Sequence, residues 1–124
     1  MKILLVDDSP VMRRYIARTL QMTGLAASIH EAANGAEAMC KAFEVHPDLV
    51  ITDLNMPGMS GAELVAGMSA SAELRHIPVL VLSADRTSAR PAELLRAGAA
   101  GYLTKPITPQ VLRARLLSML EETR

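Results

Sequence analysis

At 124 residues the chain is long enough for one compact domain with a worthwhile core and leaves little room for a second. Half of it is hydrophobic, and 13 Lys and Arg balance 13 Asp and Glu, so there is no electrostatic footprint for nucleic acid or an anionic membrane surface. A single cysteine, Cys40, excludes an internal disulfide and a cysteine metal site.

Lys2 to Val6 is a short apolar run that ends on Asp7-Asp8, and Ser9-Pro10 has the form of a helix cap with proline at the first helical position. Val11, Met12, Tyr15, Ile16, Thr19 and Leu20 then recur at helical spacing up to Gly24. The adjacent Arg13-Arg14 reads as solvated helix surface. Ala27 to Glu31 is a weak strand, and Asn34-Gly35 opens a helix through Phe43 with Ala38, Met39 and Ala42 inward. Cys40, in that pattern, is expected to be a packed thiol.

His46-Pro47 precedes a third strand, Asp48 to Thr52, and a turn rich in proline and glycine leads into a helix from about Gly61 to Ser69. Ile77-Pro78 precedes Val79 to Leu82, a nearly continuous apolar strand. Proline is disfavoured in a helix interior, so Pro91 places the fourth helix from about Arg90 to Ala97, after a loop containing Asp85 to Ser88. Gly101 to Thr104 is the last strand, and Thr108-Pro109 caps a final helix to about Glu122. Five strands alternating with five helices predict an α/β fold, a parallel sheet covered on both faces. The continuous apolar character of the first, third and fourth strands puts them at its centre. No apolar run approaches a membrane span and no signal peptide follows Met1, so the expected location is cytoplasmic, away from membranes.

In an open α/β sheet, ligands bind beyond the carboxyl ends of the strands, where strand order reverses. Asp7 and Asp8 end the first strand, Asp53 the third and Ser83 the fourth, and Lys105 follows the fifth, so all five face one edge. A carboxylate such as Asp53 at the mouth of a buried strand is costly unless a charge answers it. Three carboxylates in one pocket raise each other's pKa values, and a hard divalent cation such as Mg²⁺ relieves the repulsion. Lys105 brings an opposite charge, and Ser83 one hydroxyl donor. The set calls for a phosphoryl group beside Asp53, with Asp53 the nucleophile that receives it as an aspartyl phosphate.

Four stretches then carry a resemblance: Ile3-Leu4-Leu5-Val6-Asp7-Asp8-Ser9; Asp53-Leu54-Asn55-Met56-Pro57-Gly58-Met59-Ser60-Gly61; Ser83-Ala84; and Gly98-Ala99-Ala100-Gly101-Tyr102-Leu103-Thr104-Lys105-Pro106. In this order they make residues 2 to 121 similar to the receiver domain of two-component response regulators, the CheY-like (flavodoxin-like) three-layer fold with strand order 2-1-3-4-5. The resemblance implies that Asp53 is the phosphorylated aspartate. It gives Asp8 direct contact with Mg²⁺, Asp7 contact through metal-bound water, and Asn55 a backbone carbonyl ligand. Lys105 would meet a phosphoryl oxygen, and the Lys105-Pro106 bond would be cis. Ser83 and Tyr102 would form the switch pair, biasing an equilibrium that reshapes the surface of the fourth helix, fifth strand and fifth helix. Serine replaces the commoner threonine at position 83, Asp85 puts a charge near the entrance that bears on dephosphorylation, and Pro91 disturbs the usual fourth helix.

The implied donor is a phosphohistidine on a sensor histidine kinase or histidine phosphotransfer protein. Met12, Tyr15 and Ile16 are candidate contacts for it, with a core role expected for at least two of them. The implied output is a phosphorylation-dependent downstream protein, reached by a monomer or by a phosphorylation-dependent dimer, with no direct binding to nucleic acid. Met1 and the late end of the final helix favour a free-standing messenger over a receiver cut from a longer regulator with a DNA-binding or enzymatic domain. A small phosphohydrolase with an Asp nucleophile would need a substrate cap that the length does not supply. Retention of Asp7, Asp8, Asp53, Ser83 and Lys105 opposes a binding module that never takes phosphate.

Overall fold

Strand and helix alternate along a computed structural model that describes residues 1–25, 28–84 and 91–122. The elements are β1 (Lys2–Val6), α1 (Pro10–Thr23), β2 (Ser28–Ala32), α2 (Gly35–Val45), β3 (Leu49–Asp53), α3 (Gly61–Ala70), β4 (Val79–Ser83), α4 (Pro91–Ala97), β5 (Gly101–Thr104) and α5 (Pro109–Glu122). The boundaries follow local chemistry. Ser9 Oγ accepts from the Met12 amide and Pro10 occupies the first turn of α1, which Gly24 ends in the left-handed conformation at φ 74°. Asn34 caps α2 through the Glu37 amide, and Ser60 and Glu63 form a reciprocal capping box at the start of α3. Helix α4 begins at Pro91, where proline is tolerated because its missing N–H has no partner to lose. Ala27, Arg90 and the expected loop from Asp85 to Ser88 lie outside the described residues.

All strand pairs are parallel and the sheet order is β2-β1-β3-β4-β5, as the resemblance implied. The apolar strands β1, β3 and β4 are interior, and the more polar Ser28–Ala32 lies at an edge, which is why its signal is weak. Alternate side chains feed two cores. Ile3, Leu5, Ile51, Leu80 and Leu82 pack with Ile16 and Leu20 of α1 and with Leu112, Leu116 and Met119 of α5. Leu4, Val6, Val50 and Val81 face α2, α3 and α4 through Ala38, Ala42, Leu64, Val65, Met68 and Leu94. Among the described residues, no helix is long and apolar enough to cross a membrane.

Two expectations about side chains fail. The first is Cys40, expected as a packed thiol but exposed. The inward stripe of α2 is Gly35, Ala38 and Ala42, and a residue two positions from both alanines falls on the opposite side of the helix. Of Met12, Tyr15 and Ile16, only Ile16 is in the core; Met12 is half-buried and Tyr15 is 46% exposed.

Candidate functional site

Strand order reverses at β1, whose neighbours β2 and β3 follow it in the chain, so the loops after β1 and β3 diverge and leave a crevice. Asp53 is the last residue of β3, and its side chain is 13% exposed. The chain turns sharply beyond it, with the Gly61 amide donating to the Leu54 carbonyl at 2.8 Å. A Cβ on Gly61 would lie 2.4 Å from the Asp53 carbonyl oxygen, so glycine is required for α3 to begin this close to Asp53. Met56, buried in the core, anchors the intervening loop.

Asp7 follows β1 and is 4% exposed. Its amide donates to the Ala32 carbonyl at 3.2 Å, and its Oδ1 accepts from the Ser9 amide at 2.9 Å. Asp8 is exposed. One carboxylate oxygen from each of Asp7, Asp8 and Asp53 lies within 4.8 Å of the other two. Burial pushes the Asp7 carboxyl above its usual range; the Ser9 amide opposes this, the charge of Asp53 adds to it, Lys105 opposes it and Asp8 adds again. Three carboxylates here face one ammonium, that of Lys105. Three hard oxygen donors in that state fit a divalent cation.

Lys105 is placed by β5, with its amide donating to the Ser83 carbonyl at 2.7 Å. Its ammonium donates to Asp53 Oδ1 at 3.0 Å and lies 3.9 Å from Asp7 Oδ2. The Lys105-Pro106 bond is cis, as expected. Beyond it, Ile107 is buried, and its carbonyl accepts from the Tyr15 hydroxyl at 2.9 Å. Met12, Tyr15, Ile16, Lys105, Pro106 and Ile107 line a cavity of about 380 Å³ beside the lysine.

Ser83 ends β4, fully buried, in register with Thr104. Tyr102 pairs with Val81 and packs half-buried against the core under α2, α3 and α4, and its phenol oxygen accepts from Thr104 Oγ1 at 3.2 Å. Strand alternation puts Ser83, Thr104 and Tyr102 on one face. Asn55 is exposed in the loop after Asp53 and borders a cavity of about 390 Å³ with Leu54, Ser60 and Leu94.

The fold therefore brings Asp7, Asp8, Asp53 and Lys105 together, sets Ser83 at the adjoining strand end, and leaves Asn55 in the loop and Tyr102 further down β5. Asp85 lies outside the described residues. Sequence reasoning missed Arg13, which is no simple surface residue: its Nη1 donates to the Asp7 carbonyl at 2.6 Å and its Nε to Glu31 Oε1 at 3.0 Å. It also missed the Tyr15 and Thr104 hydroxyl bonds. The available signal was position, since Arg13 and Tyr15 occupy the helix that directly follows the acidic pair.

Residues 3–117 match the family model described as the response regulator receiver domain. The chain is 38% identical over 121 residues to the chemotaxis protein CheY of Pseudomonas aeruginosa, spanning 98% of this chain and 97% of that one. It is 39% identical over 118 residues to the chemotaxis protein CheY1 of Helicobacter pylori, spanning 94% of each. Among solved structures, Vibrio cholerae chemotaxis protein CheY4 superposes with a TM-score of 0.80 at 34% identity, covering 99% of this chain and 98% of that one.

Proposed function

Because the chain belongs to the response regulator receiver domain family, a phosphoacceptor signalling class, we propose that Asp53 accepts the phosphoryl group and that residues 1–124 form one receiver domain. The carrying observation is the Lys105 ammonium, 3.0 Å from Asp53 Oδ1, at a strand mouth where three carboxylates converge. The chemistry the family catalyses on itself is phosphorylation and autodephosphorylation, not the turnover of a metabolite.

The donor is a phosphohistidine on a two-component histidine kinase or histidine phosphotransfer protein. An Asp53 carboxylate oxygen forms a bond to phosphorus as the P–N bond to imidazole breaks, and the electron pair returns to the ring nitrogen, which takes a proton from solvent. Lys105 holds the attacking carboxylate and meets the charge spreading over the phosphoryl oxygens. Asp7, Asp8, Asp53 and the Asn55 carbonyl would hold Mg²⁺, which when bound neutralises charge on the transferring group. Ser83, one strand away, is the hydroxyl that turns to the new phosphoryl group, and Tyr102 shares its sheet face. Movement of this pair changes the surface of α4, β5 and α5, where Leu95, Val111 and Leu117 stand exposed, and so controls a downstream protein. The cavity bordered by Met12 and Tyr15 beside Lys105 suits an apolar side chain of the donor. The named relatives are chemotaxis proteins, and a cytoplasmic chemotaxis messenger is the corresponding role.

Incubation with acetyl phosphate and Mg²⁺ tests the acceptor. The wild-type chain forms an acid-stable, alkali-labile adduct that is lost in Asp53→Asn; an adduct undiminished in that variant would place the phosphoryl group elsewhere.

A further inference from the structure

Helix α1 carries Arg13, Arg14 and Arg18 and no acidic residue. Arg14 and Arg18 are exposed, whereas the Arg13 side chain is only 17% exposed and folds back over the end of the sheet. One guanidinium there bonds two strand ends at once: the Asp7 carbonyl beyond β1, at 2.6 Å, and the Glu31 carboxylate of β2, at 3.0 Å. Both contacts are charge-assisted, and the planar fork of arginine fixes the direction of each.

The carbonyl that Arg13 holds belongs to the peptide joining Asp7 to Asp8. A peptide group is planar, so fixing its oxygen fixes the direction in which the chain leaves toward Asp8. The Asp7 carboxylate is held separately, by the Ser9 amide. Glu31 is in turn placed by β2, which pairs it with Leu5, and Lys41 donates to its carbonyl. The result is a brace from α2 and β2 through Arg13 to the two residues that open the acidic cluster.

We propose that Arg13 is a positioning residue for the divalent-cation site, holding the Asp7-Asp8 peptide so that both carboxylates converge with Asp53, and that Glu31 orients its guanidinium. This rests on the reading that the three carboxylates hold Mg²⁺. Partners that orient metal ligands in this way affect affinity without touching the ion. Lysine at position 13 keeps the charge and loses the two-point fork, so geometry and charge can be separated.

The test is calorimetric titration of the intact chain with Mg²⁺ alone, without phosphodonor, alongside amide NMR spectra that report folding. Arg13→Lys and Arg13→Met are each expected to weaken Mg²⁺ binding by about tenfold or more, and Arg14→Met by less than about twofold. Glu31→Gln, which still offers an oxygen to Nε, falls between them. Arg13→Lys binding Mg²⁺ as wild type does, or a folded Arg13→Met doing so, overturns the positioning role while leaving the cation site standing. A wild-type chain that takes up no Mg²⁺ overturns both. If Arg13→Met does not fold, Arg13→Lys carries the result.

Discussion

The charge on Asp7 has opposite consequences for the fold and for the chemistry. Its carboxyl is raised above the ordinary 3.8, first by burial and then by Asp53 and Asp8 against the relief from Ser9 and Lys105. The folded chain therefore binds this proton more tightly than the unfolded chain does. The linkage sign follows: Asp7 lowers stability where it is ionised, above its raised folded value, and that cost is relieved as pH falls through the folded value toward 3.8. In metal-free buffer, Asp7→Asn should raise the melting temperature at neutral pH, with the gain shrinking as the pH is lowered through that window. The same substitution should weaken Mg²⁺ binding, since it removes one of the three carboxylates of the cluster. A melting temperature that falls at neutral pH would contradict the unfavourable burial of this charge. Residue identities at the site were legible because a charge after an apolar run is conspicuous, as with Asp53 after Leu49 to Thr52. Arg13 was not legible, because nothing local distinguishes it from Arg14; only the path of α1 over the sheet does.

Elements carry the geometry that those residues need. The turn from β3 into α3 brings the start of a helix against the backbone of Asp53, and Gly61 is the position that permits it. Gly61→Ala would drive a methyl group to 2.4 Å from the Asp53 carbonyl, closer than any relaxed contact. The expected cost is about 1–3 kcal/mol by urea denaturation, as for other overpacked sites, together with slower adduct formation from acetyl phosphate because Asp53 must shift. Unchanged stability and rate would show that the turn has slack. Caps of these elements were readable in the sequence: Ser9-Pro10, Asn34-Gly35 and Thr108-Pro109 each lie at a helix start. The inward faces were less readable. Short helices rich in Ala, Met and Cys offer several apolar stripes, and Cys40 fell on the solvent side because α2 meets the sheet through its small residues.

At the scale of the molecule, one sheet separates two cores, and the site lies at their common end. Leu80 is fully buried under α1 and α5, while Leu117 of α5 is 39% exposed. Leu80→Ala should cost about 2–5 kcal/mol through lost burial and the cavity left behind, and Leu117→Ala less than about 0.5 kcal/mol. Equal losses in equilibrium denaturation would contradict this division between core and surface. Sequence alone determined the alternating elements, the central place of β1, β3 and β4, and the gathering of Asp7, Asp8, Asp53, Ser83 and Lys105 at one edge, because periodicity and parallel connection constrain all three. The tertiary structure decided which neighbours those residues answer to: Lys105 on Asp53, Arg13 on the Asp7 carbonyl, Tyr15 on Ile107 and Thr104 on Tyr102. These contacts join residues through the packing of helices on the sheet or through side-chain conformation, and neither leaves a periodic trace in the chain.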